Sequence, residues 1–112
     1  MTKLLTRDQF RTLVFERDRH RCVVCGVRAE EAPLDAHHLL ERRLWGNGGY
    51  FLDNGASVCG PHHMRAESTE ISVETLRSLA RITRVVVPEH MEESQPYDKW
   101  GNPILPNGQR MP

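Results

Sequence analysis

The sequence predicts a small α+β domain, on three observations. A capped amphipathic stretch opens the chain, two strand-like runs flank a glycine-rich loop, and two ligand pairs, Cys22-x-x-Cys25 and Cys59-x-x-His62, bracket those runs. At 112 residues the chain has the length of one domain. A core that small draws added stability from disulfides or metal ions, so its three cysteines carry weight.

Thr6-Arg7-Asp8-Gln9 reads as a capping box, with Thr6 as N-cap and Gln9 three positions on. Phe10, Leu13 and Val14 follow at helical spacing with Arg17 on the same face, predicting a helix over 7–17. Cys22-Val23-Val24-Cys25-Gly26 is a tight turn. Residues 33–41 read as a short strand, Trp45-Gly46-Asn47-Gly48-Gly49-Tyr50 as a loop, and Ser57-Val58-Cys59 as the end of a second strand. Pro61 suits the first turn of a helix running to Ser68. Ser72 caps a further helix, with Leu76 and Leu79 in the core and Arg77, Arg81 and Arg84 towards its end. Residues 1–88 are expected to form the domain. Residues 89–112 hold four of the seven prolines with almost no apolar periodicity, and read as an extended arm or tail. Within it, Tyr97-Asp98-Lys99-Trp100 can either pack back on the domain or join an interface.

Hydrophobic residues make up 38%, charged residues 27%, and mean hydropathy is −0.55, ordinary for a soluble domain. No apolar run approaches the ~20 residues of a membrane span. The N-terminus carries two cations but no apolar stretch of the kind a signal peptide needs, so an intracellular chain is expected. Fifteen Lys and Arg balance fifteen Asp and Glu. The balance is uneven along the chain: nine cations against seven anions over 1–50, four against four over 51–88, two against four thereafter. A local basic patch around Arg17, Arg19, Arg21, Arg42 and Arg43 is therefore compatible with a neutral total.

Cys22, Cys25, Cys59 and His62 form two short-turn chelates 33 residues apart and supply the four donors of a closed tetrahedral Zn²⁺ site. A redox CxxC beside an unrelated buried Cys59 is the alternative, but no βαβ pattern accompanies it. Adjacent helical residues lie about 100° apart, so His63 faces away from the ion that His62 would hold. Glu67, four residues on, shares the face of His63. The two either form a simple exposed pair or, with a histidine of the first strand, an open N/O site for a second divalent ion.

Asp35-Ala36-His37-His38-Leu39-Leu40, then Gly48-Gly49, Asp53-Asn54 and Cys59-Gly60-Pro61-His62-His63, resembles the HNH endonucleases of the ββα-metal fold, in their zinc-stapled form. The resemblance covers roughly residues 10–68, with the core motif at about 20–68. It implies that His38 is the general base and that His37 and His63 bind a catalytic divalent ion, with Glu67 as a third ligand. It implies that Asn54 pins the two limbs of the motif together. Mg²⁺ or Mn²⁺ suits the carboxylate of Glu67, and two imidazoles also admit Ni²⁺ or Zn²⁺. The expected activity is hydrolysis of DNA phosphodiester bonds, leaving 3′-hydroxyl and 5′-phosphate ends. Arg42, Arg43 and Arg65 are candidate phosphate contacts, with a solvated face as the alternative. By the same resemblance the setting is cytoplasmic, bacterial or phage, with fusion to or assembly with other DNA-handling proteins and no membrane partner. Two rivals remain: a non-catalytic zinc-stapled module that binds nucleic acid or protein, and a thiol redox protein.

Overall fold

The computed structural model describes residues 3–111; Met1 and Thr2 of the N-terminal reading and Pro112 of the arm lie outside the described residues. It is an α+β structure with three α-helices and a two-stranded antiparallel sheet. Helix α1 spans Arg7–Arg17. The Thr6 hydroxyl accepts from Gln9 N and the Gln9 side chain accepts from Thr6 N, so both halves of the capping box form. Phe10 and Val14 bury the inner face of α1 against the sheet, while Leu13 stays 37% exposed. Contact with the sheet is close because β2 begins with glycine: a Cβ on Gly55 would lie 2.6 Å from Phe10 Cζ.

Strand β1, Leu34–His38, pairs with β2, Gly55–Cys59, in a register running from Leu34 opposite Cys59 to His38 opposite Gly55. The strand is shorter than the 33–41 expected. Beyond His38 the backbone turns to other partners: Leu39 N donates to Asn54 O, Leu40 N to the Asn54 side chain, and Glu41 N to Lys99 O. A knuckle over Cys22–Gly26 is docked on the sheet by Val23 N donating to Ser57 O at 2.9 Å.

Helix α2, Gly60–Glu67, follows β2 directly with Pro61 in its first turn. Helix α3, Val73–Leu79, is capped by the Ser72 hydroxyl, which accepts from Thr75 N at 3.0 Å. It buries Val73, Leu76, Arg77 and, at its C-cap, Ala80. Leu79, expected in the core, is 43% exposed. The reason is angular: the buried residues recur at i, i+3, i+4 and i+7, which puts Leu79 about 120° from the middle of that stripe.

The segment Tyr97–Pro103 packs back on the domain. Tyr97 and Pro103 form an isolated bridge, and the buried Asp98 carboxylate accepts from Trp100 N, Asn102 N and Asn102 Nδ2. Among the described residues no helix is long and apolar enough to cross a membrane.

Candidate functional site

Two clusters of potential metal ligands meet at α2, which contributes His62 to one and His63 and Glu67 to the other. Cys22, Cys25, Cys59 and His62 bring their donor atoms within 4.8 Å of one another. Cys25 Sγ lies 3.8 Å from Cys59 Sγ, and His62 Nδ1 lies 3.2 Å from Cys59 Sγ and 3.7 Å from Cys22 Sγ. A tetrahedral ion with metal–sulfur bonds of about 2.3 Å sets two sulfurs about 3.8 Å apart, so the donors fit such an ion. Burial pushes the Cys59 thiol up. Burial acts upwards on Cys22 too, but hydrogen bonding to the backbone of Cys25, Cys59 and Val24 outweighs it and holds that thiol below its ordinary value. The donor set, three cysteines and one imidazole, can hold a structural metal ion.

His63, one residue on, faces the opposite way, as the 100° step requires. With His37 and Glu67 it forms the second cluster, again with donor atoms within 4.8 Å. His63 Nε2 is 2.9 Å from Glu67 Oε1, and His63 Nδ1 is 2.9 Å from Asp35 Oδ2. Burial depresses His63, but these two carboxylates win and raise its pKa. Asp35 and His37 stand two apart on β1 and so share the face of the strand that meets α2. His37 is 3% exposed. Burial, with the charge of Lys99, pushes it down to about 2, so it is a neutral imidazole. Its Nδ1 is buried with no hydrogen-bond partner and lies 3.7 Å from Glu67 Oε1. This arrangement of an unpartnered imidazole nitrogen, a carboxylate and a second imidazole could hold a metal ion.

His38 projects to the other side of the strand, yet it lines the same cleft of about 520 Å³ as His37, His63 and Glu67. Its ring stacks on Phe10 with centroids 4.7 Å apart and meets the edge of Tyr50. His38 Nε2 sits 3.1 Å from Gly48 O. A carbonyl can only accept, so Nε2 carries the proton and Nδ1 keeps its lone pair. Burial lowers the pKa of His38 and outweighs the opposing effect of the Gly48 bond.

Asn54 is 1% exposed. Its Oδ1 accepts from Leu40 N at 3.0 Å, and its Nδ2 donates to Leu40 O and Gly49 O. It thus ties the end of β1 to the glycine loop that carries the Gly48 carbonyl. It is not among the residues that line the cleft.

Of the candidate phosphate contacts, Arg42 lines the cleft beside Tyr50, whereas Arg43 and Arg65 do not. Arg65 is paired with Glu70. Arg17, expected in a basic patch, is a structural tie, donating to Leu52 O, Gly55 O and Asp18. Sequence reasoning missed three cations of the cleft. Arg7 and Arg11, one helical turn apart on α1, had a signal in their spacing. Lys99, from the arm, had none: its Nζ donates to His38 O at 2.9 Å across 61 residues of chain. Lys99 also lies 3.2 Å from Glu41, whose carboxyl burial would raise but which Lys99 holds below its usual range.

No family model, no curated protein and no solved structure matches the chain.

Proposed function

We propose that the chain is a metal-dependent endonuclease of the HNH type, built on a ββα-metal core and hydrolysing DNA phosphodiester bonds. The observation that carries the reading is the His37–His63–Glu67 cluster, with its unpartnered buried His37 Nδ1, beside His38 in one cleft. Three N/O donors with an open side suit a catalytic divalent ion, Mg²⁺ or Mn²⁺ by the carboxylate, with Ni²⁺ or Zn²⁺ admitted by the imidazoles. Held by His37, His63 and Glu67, such an ion would supply Lewis-acid stabilisation of the charge that develops in phosphodiester cleavage.

The chain's own residues supply the rest. His38, held by Phe10 and the Gly48 carbonyl, takes a water proton at Nδ1 as the water oxygen forms its bond to phosphorus. The bond from phosphorus to the 3′ oxygen breaks and that oxygen takes a proton from solvent, leaving a 3′-hydroxyl and a 5′-phosphate. Asn54 acts at one remove, fixing the loop that orients His38. Arg42, with Arg7 and Arg11, lies where flanking phosphates would run. Zinc at Cys22, Cys25, Cys59 and His62 is structural, closed by four protein donors.

The test is supercoiled plasmid with the wild type and with His38→Ala, in Mg²⁺, Mn²⁺ or EDTA. Metal-dependent nicking by the wild type, reduced about a hundredfold or more in the variant, is expected. Equal cutting by both removes His38 as the base. DNA retained but uncut by a zinc-loaded wild type would make the protein a binding module instead.

A further inference from the structure

We infer that the turn of the C-terminal arm around Lys99 and Trp100 belongs to the divalent-metal centre, with Lys99 as the positioning residue of Glu67. The inference rests on reading His37, His63 and Glu67 as a metal site, and goes beyond it by adding a segment that none of the ligand motifs reaches.

Glu67 is the last residue of α2 and its side chain is 38% exposed. A carboxylate at a helix end on a cleft wall samples several rotamers unless something holds it. Besides His63 Nε2, 2.9 Å from its Oε1, the arm meets Glu67 at two points, the backbone carbonyl and the carboxylate. Trp100 Nε1 donates to Glu67 O at 3.1 Å, and Lys99 Nζ lies 3.6 Å from Glu67 Oε1. Lys99 is 3% exposed, and its remaining partners are His38 O at 2.9 Å and Glu41 Oε2 at 3.2 Å. Its ammonium donates to His38 O and stands within ion-pair distance of Glu41 and Glu67. Buried among these groups, Lys99 is placed to act through Glu67 and not on the nucleic acid.

A lysine beside a cation site would ordinarily repel the ion. Glu41, 3.2 Å from Lys99, offsets part of that charge, though Lys99 is still felt at His37. Against that repulsion stands the ion-pair hold on Glu67, the kind of outer contact that keeps a ligating carboxylate in place. The turn itself is preorganised by Asp98, 4% exposed, which gathers two backbone amides around its carboxylate.

Mn²⁺ titration of the zinc-loaded, full-length protein by electron paramagnetic resonance reads the affinity directly, without substrate. Lys99→Met, similar in length and uncharged, is expected to bind Mn²⁺ about tenfold more weakly, with zinc content unchanged and a broadened bound-ion spectrum. Trp100→Phe, at a position 45% exposed and so safe for folding, is expected to lose about threefold. Trp100→Phe alone decides the matter if Lys99→Met does not fold. Wild-type affinity in the variants overturns the inference and leaves the metal site standing. Tighter binding by Lys99→Met also overturns it, since repulsion would then outweigh positioning. A wild type that binds no Mn²⁺ overturns the metal site and this inference together. Mn²⁺ binding without any nicking of plasmid overturns the proposed activity alone.

Discussion

At the scale of single residues, burial separates groups that hold the fold from groups that do chemistry. Asn54 is the sharpest case of the first kind. Its side chain satisfies Leu40 N, Leu40 O and Gly49 O, all at a site closed to water. Asn54→Ala leaves the buried Leu40 N unpaired, while Leu40 O and Gly49 O keep Trp45 Nε1 and Phe51 N, and chemical denaturation is expected to show a loss of about 2 kcal/mol. Arg65→Ala, which removes only an exposed ion pair with Glu70, is expected to change stability by less than about 0.5 kcal/mol. His38 is of the second kind. It is half-buried, it stacks on Phe10, and one ring nitrogen is already committed to Gly48 O. Phe10→Ala should therefore leave His38 in place covalently but free to rotate. Nicking is expected to fall about tenfold or more in kcat with little change in KM, since substrate binding does not depend on that ring. An unchanged kcat would mean that the stacking does not orient the base.

At the scale of elements, α2 joins the two clusters of potential metal ligands. His62 serves one face and His63 the other, with Cys59 at the N-cap and Glu67 at the final turn. The helix is only eight residues long, too short to persist by itself. Its first turn is held by the cysteine cluster, so stripping that cluster with a strong chelator is expected to unravel α2 and scatter His63 and Glu67. The thermal midpoint by circular dichroism should drop by about 10 °C or more. Removing only a weakly held Mg²⁺ or Mn²⁺ should move it by less than about 2 °C at micromolar protein and ion concentrations. The two steps are expected to separate because an ion at the cysteine cluster would tie together parts of the chain about 35 residues apart, whereas one at His37, His63 and Glu67 would sit on a frame already formed. A midpoint that does not move on removal of zinc would show that packing alone holds α2. These elements were legible in the sequence wherever the signal was local. The capping box of α1, Pro61 at the start of α2, Ser72 before α3 and the two ligand pairs all act within a few residues. The end of β1 was not legible, because Leu39, Leu40 and Glu41 leave the strand for partners at Asn54 and Lys99.

At the scale of the whole molecule, the same distinction explains what composition hides. A net charge of zero says nothing about where charge stands. Lys99 is one of only two lysines, yet its ammonium is turned inward onto Glu41, Glu67 and a carbonyl, and Arg17 is spent on the backbone of Leu52 and Gly55. No pattern in the sequence marks either, since both depend on contacts across 35 residues or more. The cations that line the cleft with free faces are Arg7, Arg11 and Arg42. If three phosphates are neutralised there, the logarithm of the DNA association constant should fall with the logarithm of salt at a slope of about −3. His38→Ala protein with a fluorescent duplex, with no chelator and no added Mg²⁺ or Mn²⁺, allows the measurement by anisotropy without cutting. Adding Arg42→Ala should flatten the slope by about one. Adding Arg65→Ala should leave it unchanged, because Arg65 lies off the cleft and is paired with Glu70. A slope steeper than about −6, insensitive to Arg42→Ala, would place the nucleic acid on a different and larger surface and detach binding from the cleft that holds His38.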